Sequence, residues 1–114
     1  MPKKAHMPPL AATRAIRKIG EDLRIARLRR RLPLDVICQR AFLSRSTLTK
    51  IFKGDASVSI GAYGAVMHAL RLLDRLPEVA ADDHVGVMLE IEQLPKRIRR
   101  TRPRVPQTDP ASEG

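Results

Sequence analysis

Apolar residues recur at three- and four-residue spacing along most of the chain, which is the periodicity of amphipathic helices. The spacing predicts a first helix from about Thr13 to Arg30. The residues on its inner face are Ile16, Ile19, Leu23 and Ala26. A second helix over "LDVICQRA" follows Pro33, because a first-turn proline sacrifices no intrahelical hydrogen bond. It offers Val36, Ile37 and Ala41 for burial.

A third helix begins after Ser44, whose hydroxyl is a good acceptor for an otherwise unpaired backbone N–H. Its predicted inner residues are Leu48, Ile51 and Phe52, and Gly54 provides a left-handed stop. Ser59 caps a fourth helix, with Ile60, Tyr63, Val66, Met67 and Leu70 predicted to face inward. A short fifth helix around "LLDRL" ends near Pro77. No alternating strand pattern precedes Val85, so the pattern indicates a compact all-α domain.

The flanks differ in composition from this helical region. Residues 1–11 contain three prolines and two lysines and are predicted to form a flexible arm, whereas 12–80 form the folded domain. Residues 101–114 are rich in proline and polar groups and are predicted to be disordered. Residues 81–100 form an extension that fits a helix, with Val87, Leu89 and Ile91 partly aligned, or an alternating strand. We expect either a dimer or partner contact there, or a loosely docked tail.

Charge narrows the choice of partner. The 114 residues have a formal net charge of +10, with segment sums of +10 for 1–56, −4 for 57–93 and +4 for 94–114. Basic surface of this kind favours a polyanion, since neutralising phosphates releases counterions. The alternative is a basic surface that is simply solvated. The same two interpretations apply to a basic cluster near the C-terminus, which either contacts DNA backbone or a protein partner or is a solvated arm. Its residues are Lys96, Arg97, Arg99, Arg100, Arg102 and Arg104.

Other classes of function find little support in the composition. Cys38 is the single cysteine, and His6, His68 and His84 are widely separated, so we expect no disulfide, metal or cofactor. Paired reactive groups and glycine-rich phosphate loops are missing from the sequence pattern, so an enzyme is not expected. No apolar run is long enough to span a bilayer, and no secretory signal is recognisable. We therefore predict a cytoplasmic, nucleoid-associated protein without membrane contact.

The outward face of the third helix carries the candidate chemistry. Its residues can all donate hydrogen bonds and include no carboxylate: Arg45, Ser46, Thr49, Lys50 and Lys53. Such a face suits a phosphate-lined groove, and the alternative is a solvated face on a packing helix.

From Ile19 to about Leu76 the chain resembles the Xre-type helix-turn-helix repressors, the group of the Cro and lambdoid repressor domains. The residues that carry the resemblance are "LPLDVIC", "AFLS", "RSTLTKIFKG" and "VSIGAYGAVMHAL". The resemblance implies a five-helix lambda-repressor-like domain. With the later "LPKRIR", the chain is similar to HipB-like antitoxins, which implies a homodimer that binds palindromic double-stranded DNA, represses its own operon and binds a HipA-like serine/threonine kinase toxin. A stand-alone Xre-type or phage-type repressor is the alternative.

In such a domain the third helix enters the major groove. We then expect base contacts from Arg45, Ser46, Thr49 and Lys50, with the two cations directed at guanine. We expect phosphate contacts from Ser44, Thr47, Lys53 and the backbone at Gly54.

Four positions depart from the family pattern. Leu34 replaces a glutamine that touches phosphate, and Cys38 replaces a small alanine and is expected to be buried. Phe52 replaces a glutamate partner of Arg27, so the guanidinium is predicted to stack on the ring or to turn outward to phosphate. Phe42 replaces a turn glycine, and we expect it to keep a negative φ and plug the core.

Overall fold

A computed structural model of the chain describes residues 7–90 and 93–98, and this part is all-α, with no strand. The α-helices are α1 (Leu10–Arg30), α2 (Leu34–Ala41), α3 (Arg45–Phe52), α4 (Ile60–Ala69) and α5 (His84–Leu89). A 3₁₀ helix, Leu73–Glu78, lies between α4 and α5. Contacts divide the chain into two compact units, with the boundary between Val79 and Ala80. Within the described ranges, no helix combines the length and the apolar character needed to cross a bilayer.

Helix α1 begins three residues earlier than predicted. Pro9 has extended backbone angles, and its carbonyl accepts the Thr13 N–H at 3.0 Å, which starts the helix at Leu10. Leu10 and Ala11 are therefore helical and not part of an arm, and residues 1–6 of the predicted arm lie outside the described residues. On the inner face, Leu23 and Ala26 are buried.

The starts of α3 and α4 confirm two predicted caps. The Ser44 hydroxyl accepts the Thr47 N–H at 3.2 Å, and the Ser59 hydroxyl accepts the Ala62 N–H at 3.1 Å. Each bond satisfies a first-turn N–H that has no partner within the helix. Pro33 precedes α2 directly, as predicted, in an extended conformation.

Helices α1 to α4 enclose one hydrophobic core. α2 packs on α4 and on α3, and α3 packs on α1. The largest fully buried side chains come from α2, α3 and the α4 region: Ile37, Leu48, Ile51, Val66 and Leu70. One predicted core position is wrong, because Ile60 is 72% exposed. Side chains of a helix tilt toward its N-terminus, so the side chain of the first residue of α4 projects beyond the helix and away from the core.

Helices α1 to α4 all end in the left-handed conformation. The residues that adopt it, with φ of 52°, 57°, 73° and 63°, are Arg31, Phe42, Gly54 and Arg71. In each case the next residue donates its N–H to the carbonyl five positions earlier: Leu32 to Arg27, Leu43 to Cys38, Asp55 to Lys50 and Leu72 to Met67, at distances of 2.7 to 3.3 Å. This is the Schellman ending, which usually places glycine at the left-handed position. Here glycine occupies only one of the four.

A leucine follows the left-handed residue in three of these endings. Leu32, Leu43 and Leu72 are partly buried and pack against the core. Each ending therefore directs an apolar side chain toward the core immediately after the left-handed residue.

The predictions for Phe42 are wrong on both counts. Its φ is +57°, and its side chain is 92% exposed. The left-handed turn returns the Leu43 N–H to Cys38 and directs the Leu43 side chain inward. Leu43 thus fills the space predicted for Phe42, and the phenyl ring is left outside.

Downstream of α4 the chain is less buried. The predicted fifth helix is a 3₁₀ helix that includes Pro77 and continues to Glu78. In the second unit, α5 confirms the helical alternative for His84–Leu89, and the Asp83 carboxylate accepts the Gly86 N–H at 3.0 Å. Ile91 lies outside the described residues.

Candidate nucleic-acid interface

The two sides of α3 differ sharply in burial. Leu48, Ile51 and Phe52 are buried and fix the rotation of the helix about its axis. The opposite side carries the residues that we call the outer face of α3, which are Arg45, Ser46, Thr49, Lys50 and Lys53, all exposed. At 100° per residue these five fall within an arc of about 140°. The structure therefore brings the predicted base-contact residues together on one accessible surface.

The cations of this face are free of carboxylate partners. Among the described residues, no Asp or Glu lies within ion-pair distance of Arg45, Lys50 or Lys53. On α1, by contrast, Lys18 pairs with Asp22 at 2.6 Å and Arg24 pairs with Glu21 at 3.0 Å. The cations of the outer face of α3 thus form no ion pair with the described residues.

The acidic residue that follows α3 is turned toward its own loop. The Asp55 carboxylate accepts hydrogen bonds from the Ser57 hydroxyl at 2.6 Å and the Ser57 N–H at 2.8 Å. These bonds, with a smaller contribution from the charge of Lys50, hold the pKa of Asp55 below its usual value. Asp55 is therefore ionised at neutral pH and is engaged by Ser57.

Several predicted contact groups already have hydrogen-bond partners. The Ser44 hydroxyl donates to Thr47 Oγ1 at 3.1 Å while it accepts the Thr47 N–H, and Thr49 Oγ1 donates to the Arg45 carbonyl at 3.0 Å. The Thr49 side chain consequently offers a methyl group and an acceptor oxygen to a ligand. Ser46 has no partner within the described structure, so its hydroxyl is available for donation.

Gly54 does not offer its backbone to solvent. The residue is buried, and its N–H donates to the Ile51 carbonyl at 2.9 Å. The predicted phosphate contact through this N–H therefore has no free donor. A Cβ at Gly54 would collide with the Arg17 backbone, so glycine provides a close approach of α1 as well as the left-handed turn. Of the four predicted phosphate contacts, Lys53 alone combines exposure with an unengaged donor.

The Arg27 side chain is held inside the domain. Its guanidinium lies 5.7 Å from the Phe52 ring centroid, and Nη1 donates to the Leu32 carbonyl at 2.9 Å. This confirms stacking and not an outward turn. The Nε group is buried without a hydrogen-bond partner. Sequence reasoning identified the Phe52 contact but missed the bond to Leu32, which depends on the left-handed turn at Arg31.

The other departures from the family pattern have packing roles. Cys38 is partly buried, not fully buried as predicted, and it packs against the core. Leu34 also packs against the core, so its side chain is directed inward.

Phe42 is the exposed side chain that sequence reasoning missed. It lies two residues before Ser44, next to the start of α3. An arginine or phenylalanine followed by leucine recurs at the three left-handed endings without a glycine, at 31–32, 42–43 and 71–72. The same pattern also occurs inside helices, at 27–28 and 75–76, so it does not by itself identify a left-handed ending.

The second unit exposes apolar side chains. Val85, Val87, Met88 and Leu89 of α5 are all 65–83% exposed. Lys96 is exposed as well, whereas Arg99, Arg100, Arg102 and Arg104 of the predicted basic cluster lie outside the described residues.

Comparison of the chain with protein-family models, curated proteins and solved structures gives no match.

Proposed function

We propose that the chain is a sequence-specific DNA-binding repressor in which α2 and α3 form a helix-turn-helix. Phe42, Leu43 and Ser44 alone separate the two helices, and α2 packs against α3. A turn of three residues between packed helices is typical of this motif. The observation that carries the proposal is the outer face of α3. This exposed surface holds three cations and two hydroxyl groups and no carboxylate, on a helix whose other side is fixed in the core.

In this proposal α3 occupies the major groove. Arg45 lies at the start of α3, and a guanidinium there reaches guanine O6 and N7 with two hydrogen bonds. Lys50, which lies more than one turn further along α3, approaches the same kind of acceptors, guanine O6 and N7. Ser46 donates to a base edge, and Thr49 presents its methyl group. Lys53, at the end of the helix, contacts phosphate and positions the domain without reading sequence.

The resemblance to HipB-like proteins extends the proposal to a homodimer on a palindromic operator. The same resemblance extends the proposal to an antitoxin role. In that role the protein binds a HipA-like kinase and regulates its own operon in the cytoplasm. The exposed apolar side chains of α5 support a protein contact in the second unit. A stand-alone repressor shares the DNA chemistry and lacks the kinase partner.

The DNA contact is tested by comparing Arg45→Ala with Lys53→Ala on a duplex selected from a random library and on an unrelated duplex. We expect Arg45→Ala to lose about 1–3 kcal/mol on the selected duplex and to relax its preference over the unrelated one. Lys53→Ala should weaken both duplexes alike and reduce the salt slope by about one. Arg75→Ala removes one exposed positive charge outside α3 and is the matched control.

Two results would contradict this division of roles. Equal losses from Arg45→Ala and Lys53→Ala on both duplexes would remove the base-reading role of Arg45. Failure of the selection to yield a preferred duplex would contradict sequence-specific binding itself.

The antitoxin role has its own test. A kinase-like reading frame adjacent to this gene, with co-purification of the two products, is the expected result. Co-expression without co-purification, or a neighbourhood without a kinase, favours the stand-alone repressor.

A further inference from the structure

The Phe42 ring has no packing role that accounts for its backbone. The residue holds a φ of +57°, which is strained for a side chain with a Cβ, yet 92% of the side chain is exposed. Isolated apolar side chains on a surface are ordinary. An exposed aromatic ring on a residue with a strained backbone is unusual, because glycine would form the same turn without the steric cost.

The position of Phe42 links it to the candidate interface. It ends α2 and lies three peptide units from Arg45, which corresponds to at most about 11 Å of chain. The N-terminal end of α3 is the end that faces base edges in a helix-turn-helix. The Phe42 ring and the proposed base-reading residue Arg45 therefore belong to the same end of α3.

Charge around the ring indicates the kind of surface it meets. Residues 35–55 carry four basic side chains, Arg40, Arg45, Lys50 and Lys53, and two acidic ones, Asp35 and Asp55, so this stretch has a net charge of +2. One exposed ring on this basic stretch is too small an apolar patch for a stable protein interface. A polyanion complements the surrounding charge, and the major groove of DNA presents one exposed apolar group, the thymine C5-methyl.

We propose that Phe42 contacts a thymine methyl in the major groove, beside the base read by Arg45, and so adds a thymine preference to the recognition site. This inference rests on the proposed DNA-binding function. It assigns the exposed ring to apolar base readout, whereas Arg45, Ser46 and Lys50 on the outer face of α3 read by hydrogen bonds.

The test measures affinity for the selected duplex and for copies in which each thymine in turn is replaced by deoxyuridine, which lacks only the methyl group. For the native protein we expect one replacement to weaken binding about fourfold, the size expected for one buried methyl group. Phe42→Gly should bind the thymine duplex more weakly and should be insensitive to that same replacement. Its unfolding temperature should rise, which separates lost contact from lost fold.

Arg71→Gly is the matched control, because it relieves the same backbone conformation at the end of α4. It should keep the full sensitivity to deoxyuridine. If Phe42→Gly discriminates thymine from deoxyuridine as well as the native protein does, the Phe42 contact is overturned while DNA binding stands. If no preferred duplex exists and Arg45→Ala changes nothing, the proposed function is overturned and this inference with it.

Discussion

The guanidinium carbon of Arg27 lies 5.7 Å from the centroid of the Phe52 ring, joining α1 to α3 across the core. No carboxylate pairs with this cation within the described structure. Its stabilisation comes from the face of the ring and from the Leu32 carbonyl. The domain therefore keeps a partly buried positive charge without an ion pair.

The Arg27 and Phe52 side chains should be energetically coupled. In a double-mutant cycle of Arg27→Met and Phe52→Leu, we expect a coupling of about 1 kcal/mol in the free energy of unfolding, the size of a partly desolvated cation–π contact. Denaturant titration of the four proteins measures it. Arg24→Met is the matched control, because Arg24 is exposed and paired with Glu21. This variant should show no coupling to Phe52→Leu. Equal coupling for both arginines would contradict the stacking.

Gly20 should tolerate no side chain. A Cβ there would lie 2.5 Å from the Ile51 carbonyl oxygen and the Gly54 nitrogen, so α1 and the end of α3 would have to separate. We expect Gly20→Ala to destabilise the domain by about 3 kcal/mol, the upper end for overpacking. Gly61→Ala is the control, because its Cβ meets only the Ser59 hydroxyl at 3.8 Å on an exposed part of α4. That variant should gain about 0.5–1 kcal/mol. Thermal unfolding that ranks the two variants in the opposite order would refute the close approach.

Glycine should stabilise the strained helix ends. Arg31→Gly, Phe42→Gly and Arg71→Gly each relieve a left-handed non-glycine residue, and we expect about 1 kcal/mol from each in denaturant titration. Arg30→Gly is the control, since Arg30 is the last residue of α1 and has a right-handed backbone. It should lose about 0.5–1 kcal/mol. A loss of stability at all four positions would mean that the arginine and phenylalanine side chains contribute more than the strain costs.

Tyr63 should make stability depend on pH in the alkaline range. Burial, together with the charge of Asp55, raises its pKa to about 12, and its hydroxyl donates to the Asp55 carbonyl at 2.7 Å. Unfolding returns the phenol to its usual pKa of about 10, so the unfolded chain releases the proton first. The protonated Tyr63 phenol therefore contributes to the free energy of unfolding below about pH 10, and this contribution is lost as the pH rises toward 12.

The matching variant is Tyr63→Phe. It should cost about 1 kcal/mol at neutral pH through the lost hydrogen bond. The difference from the native protein should shrink as the pH rises above about 10. Free energies of unfolding measured across this range check it, and a constant difference would show that the phenol titrates alike in both states.

Local chemistry explains which elements could be predicted from the sequence. The Ser44 and Ser59 caps were predictable because each involves an N–H three residues away. The turn at Phe42 was not, because a left-handed helix end is recognised by glycine and a phenylalanine stands at that position here. Ile60 fits the helical period, and only its place at the first position of α4 puts it outside the core.

The candidate site divides in the same way. The outer face of α3 was predictable because the buried stripe of Leu48, Ile51 and Phe52 fixes which residues face away from the core. The hydrogen bond from Thr49 to the Arg45 carbonyl was not, since a threonine hydroxyl bonds equally well to backbone or to ligand. Burial of Gly54 depends on the crossing of α1, which no local pattern encodes.

The three leucines that follow left-handed residues have a consequence for how the chain folds. Leu32, Leu43 and Leu72 each couple the termination of a helix to burial of a side chain within a span of six residues. Each reversal of chain direction is thus specified by neighbours in sequence, so little loop-closure entropy is spent before the core begins to form. Local contacts of this kind form early and favour fast folding, whereas the packing of α1 on α3 joins residues that are distant in sequence.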